Sequence, residues 1–273
     1  MVEADSKARE INAKIVYFGP AGSGMTANVQ YIHRKLRQEH RGDLRTKQPS
    51  DDPRTTYEIL PVQLGAVQGY ETSIDIHTVP GAPGLNDIRR DILKDVDGVV
   101  FVADLCPSRH DATVEAVEEL RGHLQSYGRS LDDMMLLIQY NKRDLADENA
   151  LDSLHHRLGL KPVATFEAVA SKGTGVLQTL TSVSKLMLSK LRREAESLGT
   201  VLDSPLEEEV SKAIDSGLPQ AEATLETLDK GFRIEDVGPA EGSDQGVQVP
   251  IRLIDEASGR RLELCLRLSI DEA

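Results

Sequence analysis

The chain has 273 residues, 39% of them hydrophobic and 28% charged, enough for one sizeable α/β domain plus a smaller appendage. Its formal net charge is -13, and the imbalance is local: residues 1–199 carry 25 Lys+Arg against 28 Asp+Glu, whereas residues 200–273 carry 7 against 17. That acidity excludes nonspecific nucleic-acid binding, which needs clustered cations to displace counterions, and no apolar run approaches the roughly 20 residues of a transmembrane helix.

The opening MVEADSKAREINAK lacks the apolar core of a signal peptide, so the expected compartment is the cytoplasm. Cys106 and Cys265 have no metal or redox spacing and are expected as buried, reduced thiols. Along the chain, short apolar runs alternate with helical patterns, the signature of a mostly parallel sheet flanked by helices. Residues 13–18 (AKIVYF) read as a buried first strand, followed by a helix over 27–38. Two extended runs, 56–64 and 70–79, are separated by Gly65 and Gly69 and suggest a hairpin. Residues 96–104 (VDGVVFVAD) form a very apolar strand, 108–127 a helix, 134–139 another buried strand. A helix over 148–158, a last strand over 162–168 and an amphipathic helix over 175–193 complete the first domain, 1–199.

The character then changes. Residues 204–215 open with serine, proline and an acidic first turn, a helix start. Residues 221–228 suggest a second short helix, and the acidic, glycine-rich 235–246 a flexible loop. Val247, Val249, Ile251 and Leu253 alternate with polar residues, as do Leu262, Leu264, Leu266, Leu268 and Ile270 after a Glu-Ala-Ser-Gly turn. This period of two gives a β-hairpin with one apolar face, which needs a surface to lie on. Residues 200–273 are therefore expected as a small acidic α+β extension. Between the first helix and second strand, Arg34, Lys35, Arg37, Arg41, Arg45 and Lys47 form a basic stretch, either a solvated helix end and loop or a docking surface for an acidic partner.

After the first strand stands Gly19-Pro20-Ala21-Gly22-Ser23-Gly24-Met25-Thr26, with the spacing of a phosphate-binding loop, G-x-x-x-x-G-K-[S/T]. Glycines let backbone amides turn inward around a polyphosphate, and the helix N-terminus adds partial positive charge. The hydroxyl of Thr26 stands where a magnesium ligand is expected. Met25 replaces the lysine that neutralises the terminal phosphates. Loss of one charge-assisted hydrogen bond, about 1.5–3 kcal/mol, corresponds to roughly 10- to 150-fold in affinity, and transition-state charge loses a stabiliser too.

Asn141-Lys142-Arg143-Asp144 follows the apolar MMLLIQY and has the form of the guanine-reading N-K-x-D element. A carboxylate at Asp144 can accept both N1–H and the exocyclic amine of guanine; Asn141 and Lys142 would brace the loop and stack along the base. Ala170-Ser171-Lys172-Gly173 follows the last strand, where a small-residue loop would meet the guanine oxygen.

Over residues 10–195 the chain resembles the MglA-type bacterial small Ras-like GTPases, polarity switches in gliding and pilus-driven motility. The resemblance rests on REINAKIVYFGP, Arg54-Thr55, His77-Thr78-Val79-Pro80-Gly81, VDGVVFVAD, NKRD and EAVASKGTGV. Thr78 stands where most G proteins have aspartate and this family has threonine. The likeness implies a Ras-like P-loop G domain taking GTP or GDP with Mg2+. It implies that Thr55 is the switch I threonine sensing magnesium and the γ-phosphate, with Thr26 as the other magnesium ligand. Arg54 matches a built-in arginine finger and Gly81 a switch II hinge. Ala82 occupies the position of the family's water-orienting glutamine, so a second catalytic device is missing, and Asn86 nearby is not expected to replace it.

These departures lead to an expected switch with weak or absent hydrolysis, its protein regulators or effectors docking at the switch regions and C-terminal hairpin. The alternatives are a pseudo-GTPase scaffold and a metabolic P-loop kinase, the last disfavoured by NKRD and the missing lysine. His155-His156 has no carboxylate or cysteine at ligand spacing, Asp132-Asp133 reads as a strand-edge cap, and Glu207-Glu208-Glu209 as a solvated helix face.

Overall fold

Strand β6 (Gly98–Asp104) is buried at all seven positions, as a β-branched, apolar run must be when helices flank the sheet on either side. Around it the computed structural model describes residues 3–5, 10–48, 56–67, 70–82, 84–197, 232–237, 241–243, 246–255 and 261–268. Contacts divide the chain into two units, Met1–Pro219 and Gln220–Ala273.

In the first unit, β1 (Glu3–Asp5), β2 (Glu10–Phe18), β3 (Arg45–Lys47), β4 (Tyr57–Val67), β5 (Tyr70–Thr78), β7 (Met135–Asn141) and β8 (Ala164–Ala168) join β6 in one mixed sheet. Its order is β3-β4-β5-β2-β6-β7-β8, with β1 antiparallel on β2. The β5, β2, β6, β7 and β8 strands run parallel, and β4 turns back antiparallel on β5. The helices are α1 (Met25–Lys35), α2 (Asn86–Ile92), α3 (His110–Ser126), α4 (Ala150–Leu158) and α5 (Val176–Ser197). Helix α1 meets α5, and α3 meets α4. Tyr17, Phe18, Phe101 and Tyr140 are the largest side chains buried between these layers. This is the Ras-like arrangement, with the C-terminal ends of the parallel strands framing one rim.

Several expectations change. Gly65 does not separate two strands: β4 continues to Val67, and Gly65, at φ 77° and opposite Thr72, sits at a register shift between Gln63 and Gly65. It is a β-bulge, a role that glycine plays as readily as a turn. Asp132 and Asp133 do not cap a strand edge; they form a 3-10 turn (Leu131–Asp133) whose Asp132 amide donates to Ser130 Oγ at 3.2 Å. Cys106 is half-buried rather than buried, and burial pushes its thiol pKa up, chiefly by desolvation.

In the second unit, β11 (Gly246–Asp255) and β12 (Arg261–Leu268) pair antiparallel with Val249 opposite Leu266, Ile251 opposite Leu264 and Leu253 opposite Leu262. The expected flexible loop over 235–246 is instead partly strand. β9 (Phe232–Val237) and β10 (Glu241–Ser243) both pair with β11, making four strands of the hairpin. The expected helices over 204–215 and 221–228 lie outside the described residues. Among the described residues, no helix is long and apolar enough to cross a membrane.

Candidate functional site

The chain leaves β2 at Phe18 and enters α1 at Met25, so residues 19–24 must turn at the rim of the sheet. Gly24 is the pivot. It holds φ 106°, and a Cβ there would overlap the Asn141 carboxamide; no side chain satisfies both conditions. The Asn141 carboxamide uses the closeness. Its Nδ2 donates to Ser23 O at 2.6 Å, and its Oδ1 accepts from the Ala170 amide at 2.9 Å. One side chain, 3% exposed, thereby ties the glycine loop, the end of β7 and the loop after β8 together.

The rest of the expected base-reading element surrounds it. Lys142 adopts φ 64° and its Nζ donates to Asp104 Oδ2 at 2.7 Å, crossing from β7 to the end of β6. Asp144 is partly exposed, with Lys172 Nζ 3.1 Å from its Oδ2. Ala170 is buried and Ser171 exposed. Arg143 Nε donates to Glu167 Oε2 at 2.6 Å and pins the 143–147 turn to β8.

In the glycine loop, Met25 is 5% exposed and belongs to the apolar core, while Thr26 is exposed. Ser23 is fully buried, and its Oγ has no hydrogen-bond partner. A buried, unpaired hydroxyl is costly and is retained where something else offsets it. Gly81 lies against Ala21, with 3.2 Å from its Cβ position to the Ala21 Cα, so the end of the His77–Gly81 run meets the loop directly. Ala82 is partly exposed beside it. Arg54 and Thr55 lie outside the described residues.

Three contributors lie outside the residues expected at the site. Arg89, 5% exposed, donates from Nη1 to Pro80 O and from Nη2 to Gly19 O, each at 3.2 Å, with Glu119 Oε1 2.7 Å from its Nε. It also lies over the Phe18 ring at 4.5 Å. Burial lowers its pKa and Glu119 opposes the shift; the arginine stays charged and clamps both rim loops. Asp104 is fully buried at the end of β6 and could have been suspected, since a carboxylate closing so apolar a strand needs a partner. Arg109, at the entry to α3, donates from Nη2 to Ala21 O at 2.7 Å. Arg109, Pro20, Ala21, Gly81, Ala82 and Glu115 are among the residues lining a cavity of about 360 Å³. The arrangement offers backbone amides and cations to an anion, and a carboxylate some residues away to a polar heterocycle.

Compared with known proteins, no family model matches the chain. The chain is 40% identical over 186 residues to the Mutual gliding-motility protein MglA of Myxococcus xanthus (strain DK1622), an alignment covering 68% of this chain and 95% of that one. Near-complete coverage of the relative, the Ras-like strand order and the loops gathered by Asn141 agree: the chain belongs to the MglA-type small Ras-like GTPases.

Proposed function

We propose that the chain is a guanine-nucleotide-dependent switch with slow intrinsic hydrolysis, acting through protein regulators or effectors in polarity or motility. The observation that supports it is the Asn141 bridge, which holds the glycine loop and the Asp144 turn in one frame. The loop's geometry fits a polyphosphate: Gly22 and Gly24 have positive φ, and a Cβ at Gly24 would fill the space beside Asn141.

The residues that would hold the nucleotide are the amides of 19–26, Asp144 for the guanine edge, Lys142 along the base and Ala170, Ser171 and Lys172 around the guanine oxygen. Thr26 and Thr55 would hold magnesium, which supplies charge neutralisation between the phosphates. Slow turnover follows from two side chains. Met25 is buried in the core and cannot donate to the phosphates, and Ala82 cannot orient a water. Arg54, matching the family's arginine, would supply a cation for developing charge. Residues 200–273 are proposed as an appended partner-binding element rather than part of the switch.

A second reading, a nucleotide-free scaffold, draws support from Lys172 lying 3.1 Å from the Asp144 carboxylate that guanine would need. The two separate in one experiment. Asp144→Asn replaces an acceptor of two guanine N–H groups by an amide that favours the xanthine edge. Fluorescent GDP binding should fall at least tenfold, about 1.4 kcal/mol or more, while xanthosine diphosphate binding appears. Equal binding of neither nucleotide by either protein supports the scaffold.

A further inference from the structure

We propose that Arg109 brings to the nucleotide's terminal phosphates the positive charge that Met25 cannot. This rests on the nucleotide-switch reading above. Two cationic side chains contact the glycine loop among the described residues, Arg89 and Arg109, and the first is spent. Arg89 is buried, with its guanidinium engaged by Gly19 O, Pro80 O and Glu119. Lys142 is held on Asp104 at 2.7 Å, at the end of the site that reads the base.

Arg109 differs on each count. Its side chain is 41% exposed, and its one hydrogen bond runs from Nη2 to Ala21 O, a neutral carbonyl in the glycine loop itself. Its Nε lies 3.9 Å from Asp104 Oδ2, beyond hydrogen-bond distance. One carboxylate, Asp104, thus faces two cations, Lys142 at 2.7 Å and Arg109 at 3.9 Å, and its close contact is with Lys142. A guanidinium has five N–H donors in a fixed fork, and most of those of Arg109 are unused. It also lines the cavity beside the small residues Ala21, Gly81 and Ala82, which Glu115 and the Arg89–Glu119 pair line as well. Exchanging the Ala21 carbonyl for a phosphate oxygen replaces a neutral acceptor by a charged one, for which an arginine fork is well matched.

The competing role is a loop brace, in which Arg109 merely holds Ala21 O. Charge and bracing separate through substitution. Arg109→Lys keeps the charge; Arg109→Gln keeps a donor without it. Fluorescent GDP is titrated into the full chain with Mg2+, and guanosine is competed against it to read the base site alone. Arg109→Ala and Arg109→Gln should each weaken GDP about tenfold or more, Arg109→Lys less than about threefold, with guanosine unchanged. In a Met25→Lys background, Arg109→Ala should cost less than about threefold, because the restored lysine takes over the charge. The proposal is overturned if Arg109→Ala binds GDP like the parent, if glutamine serves as well as lysine, or if guanosine weakens in parallel. A parent chain that binds neither GDP nor guanosine defeats the switch reading and this proposal with it. A parent that binds GDP while Arg109→Ala is unaffected defeats this proposal alone.

Discussion

Met25 begins α1 and is buried in the core, yet the next residue, Thr26, is exposed. At a helix start a long side chain has a choice between packing down and reaching out toward the loop. An apolar thioether gains by packing; a lysine at the same position would leave its ammonium unpaired if it stayed there, so it must extend to the phosphate side. Met25→Lys should therefore tighten GDP at least about tenfold, the low end of a charge-assisted hydrogen bond. Titration with fluorescent GDP checks this, and an unchanged constant would mean that the loop cannot admit the phosphates. Adding Ala82→Gln to that variant should produce GTP hydrolysis measurable by phosphate release. Neither Met25's burial nor Arg109's place on Ala21 O could be read from the sequence. The glycine spacing and the NKRD tetrapeptide were visible there because each is local, whereas those contacts join residues far apart in the chain.

At the scale of elements, α1, β7 and α5 are joined by a buried polar network. Asn28 Nδ2 donates to Gln139 Oε1 at 2.7 Å, and Gln139 Nε2 donates to Asn28 Oδ1 at 3.0 Å and to Thr179 Oγ1 at 2.9 Å. Asn28 also donates to Gly24 O, so the network sets where the glycine loop ends. Gln139→Leu would strand the Asn28 carboxamide and should lower unfolding stability by about 1–3 kcal/mol, read by chemical denaturation. No loss would show that water or relaxation replaces the network.

A second element-scale effect concerns β5. Burial pushes the His77 pKa down to about 4, reinforced by Lys14 and Lys47. A depressed histidine binds protons more readily unfolded than folded, so its contribution is complete above about pH 6.5 and is lost as pH falls toward 4. His77→Gln should flatten the stability profile between those values in urea titrations, whereas an unchanged slope would assign the acid sensitivity to other groups.

Long, strongly apolar strands such as β6 and β7 were legible because both faces are buried and the run is uninterrupted. The short β1, β3 and α2 were not, since three to seven residues give too little periodicity to register. Residues 235–246 read as a loop for a related reason: glycine and acidic residues also occur in short antiparallel strands, and only their pairing with β11 reveals them.

For the whole molecule, the uneven charge now has a location. The near-neutral first part contains every described candidate-site residue, while most of the excess acid falls after residue 199. The claim beneath all of this is that the loop 19–26 and Asp144 take one guanine nucleotide between them. Calorimetric titration of the full chain with Mg-GDP and, separately, Mg-ADP tests it most directly. The account predicts saturable one-to-one binding of GDP and at least about tenfold weaker binding of ADP, which lacks the paired N–H groups for Asp144. Absence of heat and of competition with either nucleotide at millimolar concentration, or equal affinity for both, would contradict it.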